Sequence, residues 1–130
     1  MAWNNPPINL SVAVLRDADT LTKKITGEAL QKVIVASPVD TGAFRGNWRV
    51  GVSNIDGTTD PSSTDVSGQG SITRGLLTIQ SGGGVGKLVY ISNSLPYGVK
   101  LNNGYSMQAP MNFVELSVQE VVNKYRQWYN

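Results

Sequence analysis

The chain has 130 residues and a mass of 14.0 kDa, room for one domain with a modest core. Hydrophobic residues make up 40% and charged residues only 15%, a sparse charge content that fits a surface largely covered by partners. The absence of cysteine and histidine excludes disulfides, thiol nucleophiles and Ser-His-Asp or Cys-His machinery, and leaves only oxygen ligands for a metal.

The net charge of +2 and the pI near 9.0 are mild for a nucleic-acid binder, which clusters Lys and Arg. The longest basic run is Lys23-Lys24. The start "MAWNNPPINL" lacks a basic run followed by a long apolar one, so no signal peptide is expected. No stretch approaches the roughly 20 apolar residues that span a bilayer.

Residues 1–8 read as an extended arm closed by Pro6-Pro7, with Trp3 as its anchor on a neighbour. The rest, 9–130, reads as a single α+β domain. From Asn9 to Ala36 the residues Leu10, Val14, Ala18, Leu21, Ile25, Ala29 and Val33 recur at helical steps and predict one buried stripe. Asn9 or Ser11 is placed to cap its start. Gly27 costs this helix about 1 kcal/mol against Ala, which implies a closely packed neighbour. Pro38 ends the helix by driving Ser37 out of the α region.

The segment "SPVDTGAFRGNW" then turns the chain. Asp40 can fold back on nearby N–H groups, and Gly42 takes positive φ cheaply. From Phe44 to Val52, apolar residues and Gly46 alternate with Arg45, Asn47, Arg49 and Gly51, which predicts a strand with Trp48 buried and the arginines meeting carboxylates of the same or a neighbouring chain. Ala43 to Arg45 as a helical turn capped by Thr41 is the alternative. Ser53 to Ser71 is a long loop of Gly, Ser, Thr and Asp. Its charge of −3, from Asp56, Asp60 and Asp65, leaves +5 on the rest of the chain. Its length and glycine content predict that it reaches away from the core.

Ile72 to Ile79 fits a short helix better than a strand, and Ser81 to Gly86 a glycine hinge. "SGGGVGK" is no phosphate loop: Ser81 stands where the first Gly belongs, Leu88 follows Lys87, and a strand rather than a helix comes next. That strand is Leu88 to Ile91, followed by a turn around Pro96. Asn102-Asn103-Gly104 closes a hairpin or ends a helical turn. Pro110 to Trp128 predicts a last helix with a stripe of Val114, Val118, Val121, Val122, Tyr125 and Trp128, broadened by Phe113 and Leu116. Glu115 and Glu120, five apart, read as a solvated face rather than an acid/base pair. The spacing of Asp56, Asp60 and Asp65 misses the EF-hand pattern.

Two segments, "SPVDTGAFRGNW" and "VYISNSLPYGVKLNNGYSMQAP", resemble the neck and tail-completion proteins of long-tailed double-stranded DNA bacteriophages. The matching residues are Pro38 to Gly42, Arg45, Asn47 and Trp48, then Tyr90, Ile91, Asn93, Pro96, Tyr97, Leu101 and Gly104, then Gln108 to Pro110. Asn102 stands where that family often has an acid. The resemblance implies a long N-terminal helix and a C-terminal helix packed on a small, mostly antiparallel sheet. It implies a virion structural protein with no catalytic role and no cofactor or metal. Such proteins assemble in the host cytoplasm as a homo-oligomeric ring, six subunits being expected and twelve the alternative. Expected partners are a head-closure or adaptor protein and a tail terminator or tail tube. Genomic DNA passes through the channel without specific binding, and no membrane is involved. The assembly-interface candidates are Trp3, Arg45, Arg49, Asp56, Asp60, Asp65, Tyr97, Phe113 and Leu116. The alternative functions are a small nucleic-acid-binding morphogenesis factor, favoured by the pI, and a hydrolase using carboxylates.

Overall fold

A computed structural model describes residues 7–39, 41–96, 98–104 and 112–126. The elements are α1 (Pro7–Ala36), α2 (Ala43–Gly46), β1 (Trp48–Val52), α3 (Gln69–Gly82), β2 (Val89–Asn93), α4 (Gly98–Asn102) and α5 (Phe113–Arg126). The fold is α+β, as expected, with β1 and β2 forming one antiparallel pair.

α1 begins at Pro7, which suits a first helical position because proline has no N–H to satisfy there. Asn9 and Ser11 therefore lie inside the helix and are not its caps. The helix thus takes in residues 7 and 8 of the expected arm, and residues 1–6, with Trp3, fall outside the described residues. The helix stops at Ala36, ahead of Pro38, as expected. α3 and α5 pack on different faces of α1. The α3 face meets Gly27, where an added Cβ would touch Leu76 Cδ2 at 2.9 Å, and Leu30, which crowds Gly75. On the α5 face, Ser117 Oγ lies 3.4 Å from the Lys32 carbonyl and the Tyr125 hydroxyl donates to Glu28.

Because α1 is covered on two sides, its buried residues depart from the expected stripe. Leu30 and Ile34 are fully buried with Val33, whereas Leu21, Ile25 and Ala29 are half-buried. The side chains of Leu10, Val14 and Ala18 lie outside the described set. α5 shows a similar shift. Its buried row is Phe113, Ser117, Val121 and Tyr125, while Val118 and Val122 face solvent. Ser117 reaches an interior position because its hydroxyl donates to the Phe113 carbonyl at 2.7 Å, so it carries no unsatisfied group inward. Pro110 and Trp128 fall outside the described residues; α5 itself starts at Phe113 and ends at Arg126.

The expected strand from Phe44 is shorter. Gly42, at φ +89°, turns the chain into the helical turn α2, and β1 starts only at Trp48. This is the Thr41 alternative: the Ala43 N–H donates to Thr41 Oγ1 at 3.3 Å. The turn points Phe44 inward, where it meets Trp48 and Phe113 edge to face at 5.7 and 6.2 Å. Trp48 is buried, as expected. β2 runs Val89–Asn93 rather than Leu88–Ile91. The 81–86 segment divides: Ser81 and Gly82 close α3, and the turn follows. Asn102 ends the helical turn α4 and closes no hairpin.

The pairing register is Trp48↔Asn93, Arg49↔Ser92, Val50↔Ile91, Gly51↔Tyr90 and Val52↔Val89. The Ser53 N–H extends the ladder to the Leu88 carbonyl at 2.7 Å. In an antiparallel pair, bonded and non-bonded positions alternate. Arg49, Gly51 and Ser53 therefore turn their peptide groups toward β2, and Trp48, Val50 and Val52 turn theirs to the outer edge.

Candidate functional site

The polar residues of the turn work as joints. Arg45, carried over the end of α1 by α2, donates from Nε to the Ser37 carbonyl (3.1 Å), from Nη2 to Val35 (2.9 Å) and from Nη1 to Val66 (2.9 Å). A guanidinium is suited to this, since its five donors form a fixed fork and its charge complements a helix C-terminus. Within its own chain the partners of Arg45 are thus carbonyls and not the expected carboxylates. Asn47 is fully buried. Its Nδ2 donates to the Ala43 and Asp60 carbonyls (2.7 and 2.9 Å), and its Oδ1 accepts the Asp60 N–H (2.7 Å). Asn93 Nδ2 donates to the Phe44 carbonyl at 2.7 Å. Asn102 Oδ1 accepts the Val114 N–H at 3.0 Å, near the start of α5, while its Nδ2 donates to the Glu115 carboxylate at 2.9 and 3.0 Å.

The 53–71 segment does not reach away from the core. Its last three residues open α3, and the remainder lies on the body. Asp60 is held by Asn47, the Asp65 N–H by the Gly42 carbonyl (2.9 Å), and the Asp56 carbonyl by Ser92 Oγ (3.2 Å). Gly46 and Gly51 lie so close to the Ser63 and Asn54 carbonyls that a Cβ would collide with either. The loop acids serve local turns. Asp56 Oδ1 accepts from Thr58 N–H and hydroxyl, and Asp60 Oδ1 from Ser62 N–H and hydroxyl. Asp65 accepts the Gly68 N–H on Oδ1 and the Ser71 N–H on Oδ2, and so holds the first turn of α3. Burial pulls the Asp65 carboxyl upward, but the bonds from Ser71 and Gly68 outweigh it and hold it below the usual carboxylate range.

A cleft of about 400 Å³ opens along the outer edge of β1. Trp48 and Val50 form its floor, Arg74, Gly75 and Thr78 of α3 one wall, and Asp56 and Ser63 of the loop the other. Arg49 Nη1 and Arg74 Nη2 converge on the same acceptor, the Gly46 carbonyl, at 2.9 and 3.3 Å. Arg49 also donates to Thr58 Oγ1 (3.3 Å) and the Trp48 carbonyl (3.3 Å), and Arg74 to Ser71 Oγ (3.3 Å). Among the described residues no ion pair within 4 Å joins either arginine to a carboxylate. Beyond the hydrogen bonds of their own turns, however, the charge of Arg49 lowers the Asp56 and Asp60 carboxyls and that of Arg74 lowers Asp65, so Arg49 faces carboxylates of its own chain without pairing with one. Arg74 was missed in the sequence because nothing in its own segment marks it; only its approach to Arg49 through Gly46 gives it a place.

Of the remaining interface candidates, Phe113 is 1% exposed and belongs to the core against Phe44, not to a surface. Leu116, 51% exposed, does face solvent. Tyr97 lies outside the described residues. Glu120 pairs with Lys32 at 3.0 Å and Glu115 with Asn102, in keeping with a solvated face. The glycine turn after α3 is held to α1, where Asp19 Oδ1 accepts the Val85 N–H at 3.0 Å. Among the described residues there is no group of three acids placed for a metal, and no helix long and apolar enough to cross a membrane. No family model, curated protein or solved structure matches the chain.

Proposed function

We propose that this chain is a virion structural protein that forms a ring at the head–tail junction of a long-tailed phage. In that role it joins the head connector to the tail around the DNA channel. The observation that carries this reading is the locked joint between α1 and β1. Arg45 binds the carbonyls of Val35 and Ser37 at the end of the helix, and Trp48 Nε1, at the start of the strand, donates to Ser37 Oγ at 2.9 Å. A ring closes only if each subunit repeats the same angle, and these bonds hold that angle.

The residues carrying the resemblance support the same reading. Arg45, Asn47 and Asn93 are all engaged in fixing one element against another. Exposed apolar residues on α5, including Leu116, Val118 and Val122, supply surface for neighbours. The partners are further copies of the chain, six per ring or twelve, with a head-closure or adaptor protein on one side and a tail terminator or tail tube on the other. The acidic surface of Asp56 and Asp60, facing the channel or the adjoining layer, would repel DNA phosphate. The morphogenesis-factor alternative loses Arg45 as a phosphate contact, because all three of its nitrogens already hold carbonyls.

Mass photometry and cryo-electron microscopy of the purified protein test the proposal. Six- or twelve-fold rings around an open channel are expected. A protein that stays monomeric at every concentration and is missing from virions would refute it.

A further inference from the structure

Among the described residues the outer edge of β1 pairs with no other strand. Trp48, Val50 and Val52 turn their peptide groups away from β2, as the register and the Ser53–Leu88 bond require. Among the described residues the only partner on that edge is Arg49 Nη1, at 3.3 Å from the Trp48 carbonyl. Open edges invite another strand, and proteins usually blunt them or cover them. Here, among the described residues, no strand or helix pairs with the edge, and its Trp48–Val50 part lines a cleft of about 400 Å³ shared with α3 and the 53–68 loop. At the Gly46 end, the guanidinium groups of Arg49 and Arg74 meet over one carbonyl. Two like charges on one acceptor favour an anion between them.

We infer that this cleft is a strand-addition site for an extended segment of a different protein that carries an Asp or Glu side chain at the end lying beside Gly46. The main chain of the segment pairs with the outward peptide groups of Val50 and Val52, the mode of recognition in which backbone bonds give affinity and side-chain pockets give specificity. The acid is received by Arg49 and Arg74. Asp56 on the loop wall repels a second carboxylate and so selects which end of the segment is acidic. The acidic side chains among the described residues argue against a second copy as the occupant. Asp19, Glu28 and Glu120 are held by lysines, Glu115 by Asn102, and Asp56, Asp60 and Asp65 by their own turns. The inference rests on strand geometry and charge and does not depend on the assignment to a phage neck.

The test is residue-resolved amide exchange and titration by NMR on the dilute full chain. The probes are blocked hexapeptides of alternating threonine and valine with one glutamate at the first or last position, beside matched glutamine peptides. In the free protein, Val50 and Val52 amides should exchange fast while Arg49 and Gly51 exchange slowly. One of the glutamate peptides should slow Val50 and Val52 and bind roughly tenfold tighter than its glutamine match, as a charge-assisted bond predicts. Arg74→Gln should abolish that preference. Its wild-type bonds to Gly46 and Ser71 are long, at 3.3 Å each, so the variant should keep its fold, checked by an unchanged amide spectrum away from the cleft. Val50 and Val52 amides already protected in dilute protein would show that the edge is closed. Absence of peptide binding, or binding indifferent to glutamate and to Arg74, would equally overturn the inference. Protection that rises with protein concentration alone would make a second copy the occupant and overturn the identity of the partner.

Discussion

The Trp48 indole donates to the Ser37 hydroxyl at 2.9 Å, and that hydroxyl donates in turn to the Val33 carbonyl at 2.7 Å. The two residues bracket the turn, so a side-chain relay ties the first residue of β1 to the last turn of α1.

Trp48→Ala should lower stability by about 3–5 kcal/mol, the range for removing a large aromatic from a core. Trp48→Phe should cost less, because Ser37 keeps its bond to Val33 and only one hydrogen bond, worth about 1 kcal/mol, is lost beyond the change in volume. Urea denaturation separates the two. Equal losses for both variants would show that the indole N–H bond to Ser37, and not the buried ring, carries the stabilisation.

Arg45 makes a sharper case for the joint. Arg45→Lys keeps the charge but not the fork, so it should leave at least one of the Val35, Ser37 and Val66 carbonyls without its partner. A loss of about 1–2 kcal/mol is expected, with the Ser37–Trp48 turn and the Val66 segment gaining the most in amide exchange rate. Destabilisation spread evenly over the chain would argue against a local clamp.

Much of this was legible in the residues themselves. Helical spacing and Pro38 place α1 and its end, and Gly27 signals the close approach of Leu76. Alternation after Gly42 marks a strand, but it also takes in Phe44 and Arg45, which the Gly42 turn diverts into α2. That diversion decides the role of Arg45: on a strand it would face outward, whereas in a helical turn it caps α1. Hydropathy is blind to side-chain-to-backbone bonds. For that reason a loop rich in Gly, Ser and Asp read as free-standing although Asn47 holds Asp60 at two points, and Ser117, buried on α5, was absent from the expected stripe. The Arg49–Arg74 cleft joins residues from β1 and α3, and no local pattern in the sequence reports such a meeting.

Two glycines distinguish a tolerant contact from an intolerant one. At Gly27 an added methyl meets only the flexible end of Leu76, at 2.9 Å. Gly27→Ala should therefore be close to neutral, since a gain of about 1 kcal/mol in helix propensity offsets the adjustment. At Gly75 the same methyl is caught between Leu30 and Val50, both core residues. Gly75→Ala should destabilise by about 1–3 kcal/mol despite the same gain in propensity. Thermal unfolding of the two variants side by side checks the ordering, and a stabilised Gly75→Ala would refute the α1–α3–β1 packing.

The Glu28–Tyr125 pair should give the α1–α5 contact a pH dependence at both ends of the scale. The Tyr125 hydroxyl donates to Glu28 Oε1 at 2.7 Å, and Lys124 lies 3.0 Å from Oε2. The Tyr125 bond, opposed by burial and helped by Lys124, holds the Glu28 carboxyl below its ordinary value of 4.5. Burial first, then the bond to Glu28 and its charge, pushes Tyr125 from 10.0 up to about 12. A depressed carboxyl contributes stability that is present above its unfolded value and lost as pH falls through the folded one. A raised phenol contributes stability that is full below its unfolded value and lost as pH rises through the folded one. The contribution of the pair should therefore hold from above 4.5 to about 10, decline below 4.5 as Glu28 takes a proton, and decline from 10 toward 12 as Tyr125 gives one up. Tyr125→Phe removes the bond and should cost about 1 kcal/mol at neutral pH. Because other carboxylates also titrate in acid, the informative quantity is the difference in urea midpoint between wild type and Tyr125→Phe. That difference should be largest at neutral pH and shrink in both acid and alkali. A difference that stays constant across the range would mean that the tyrosine stabilises by packing alone and that its hydroxyl does not couple to Glu28.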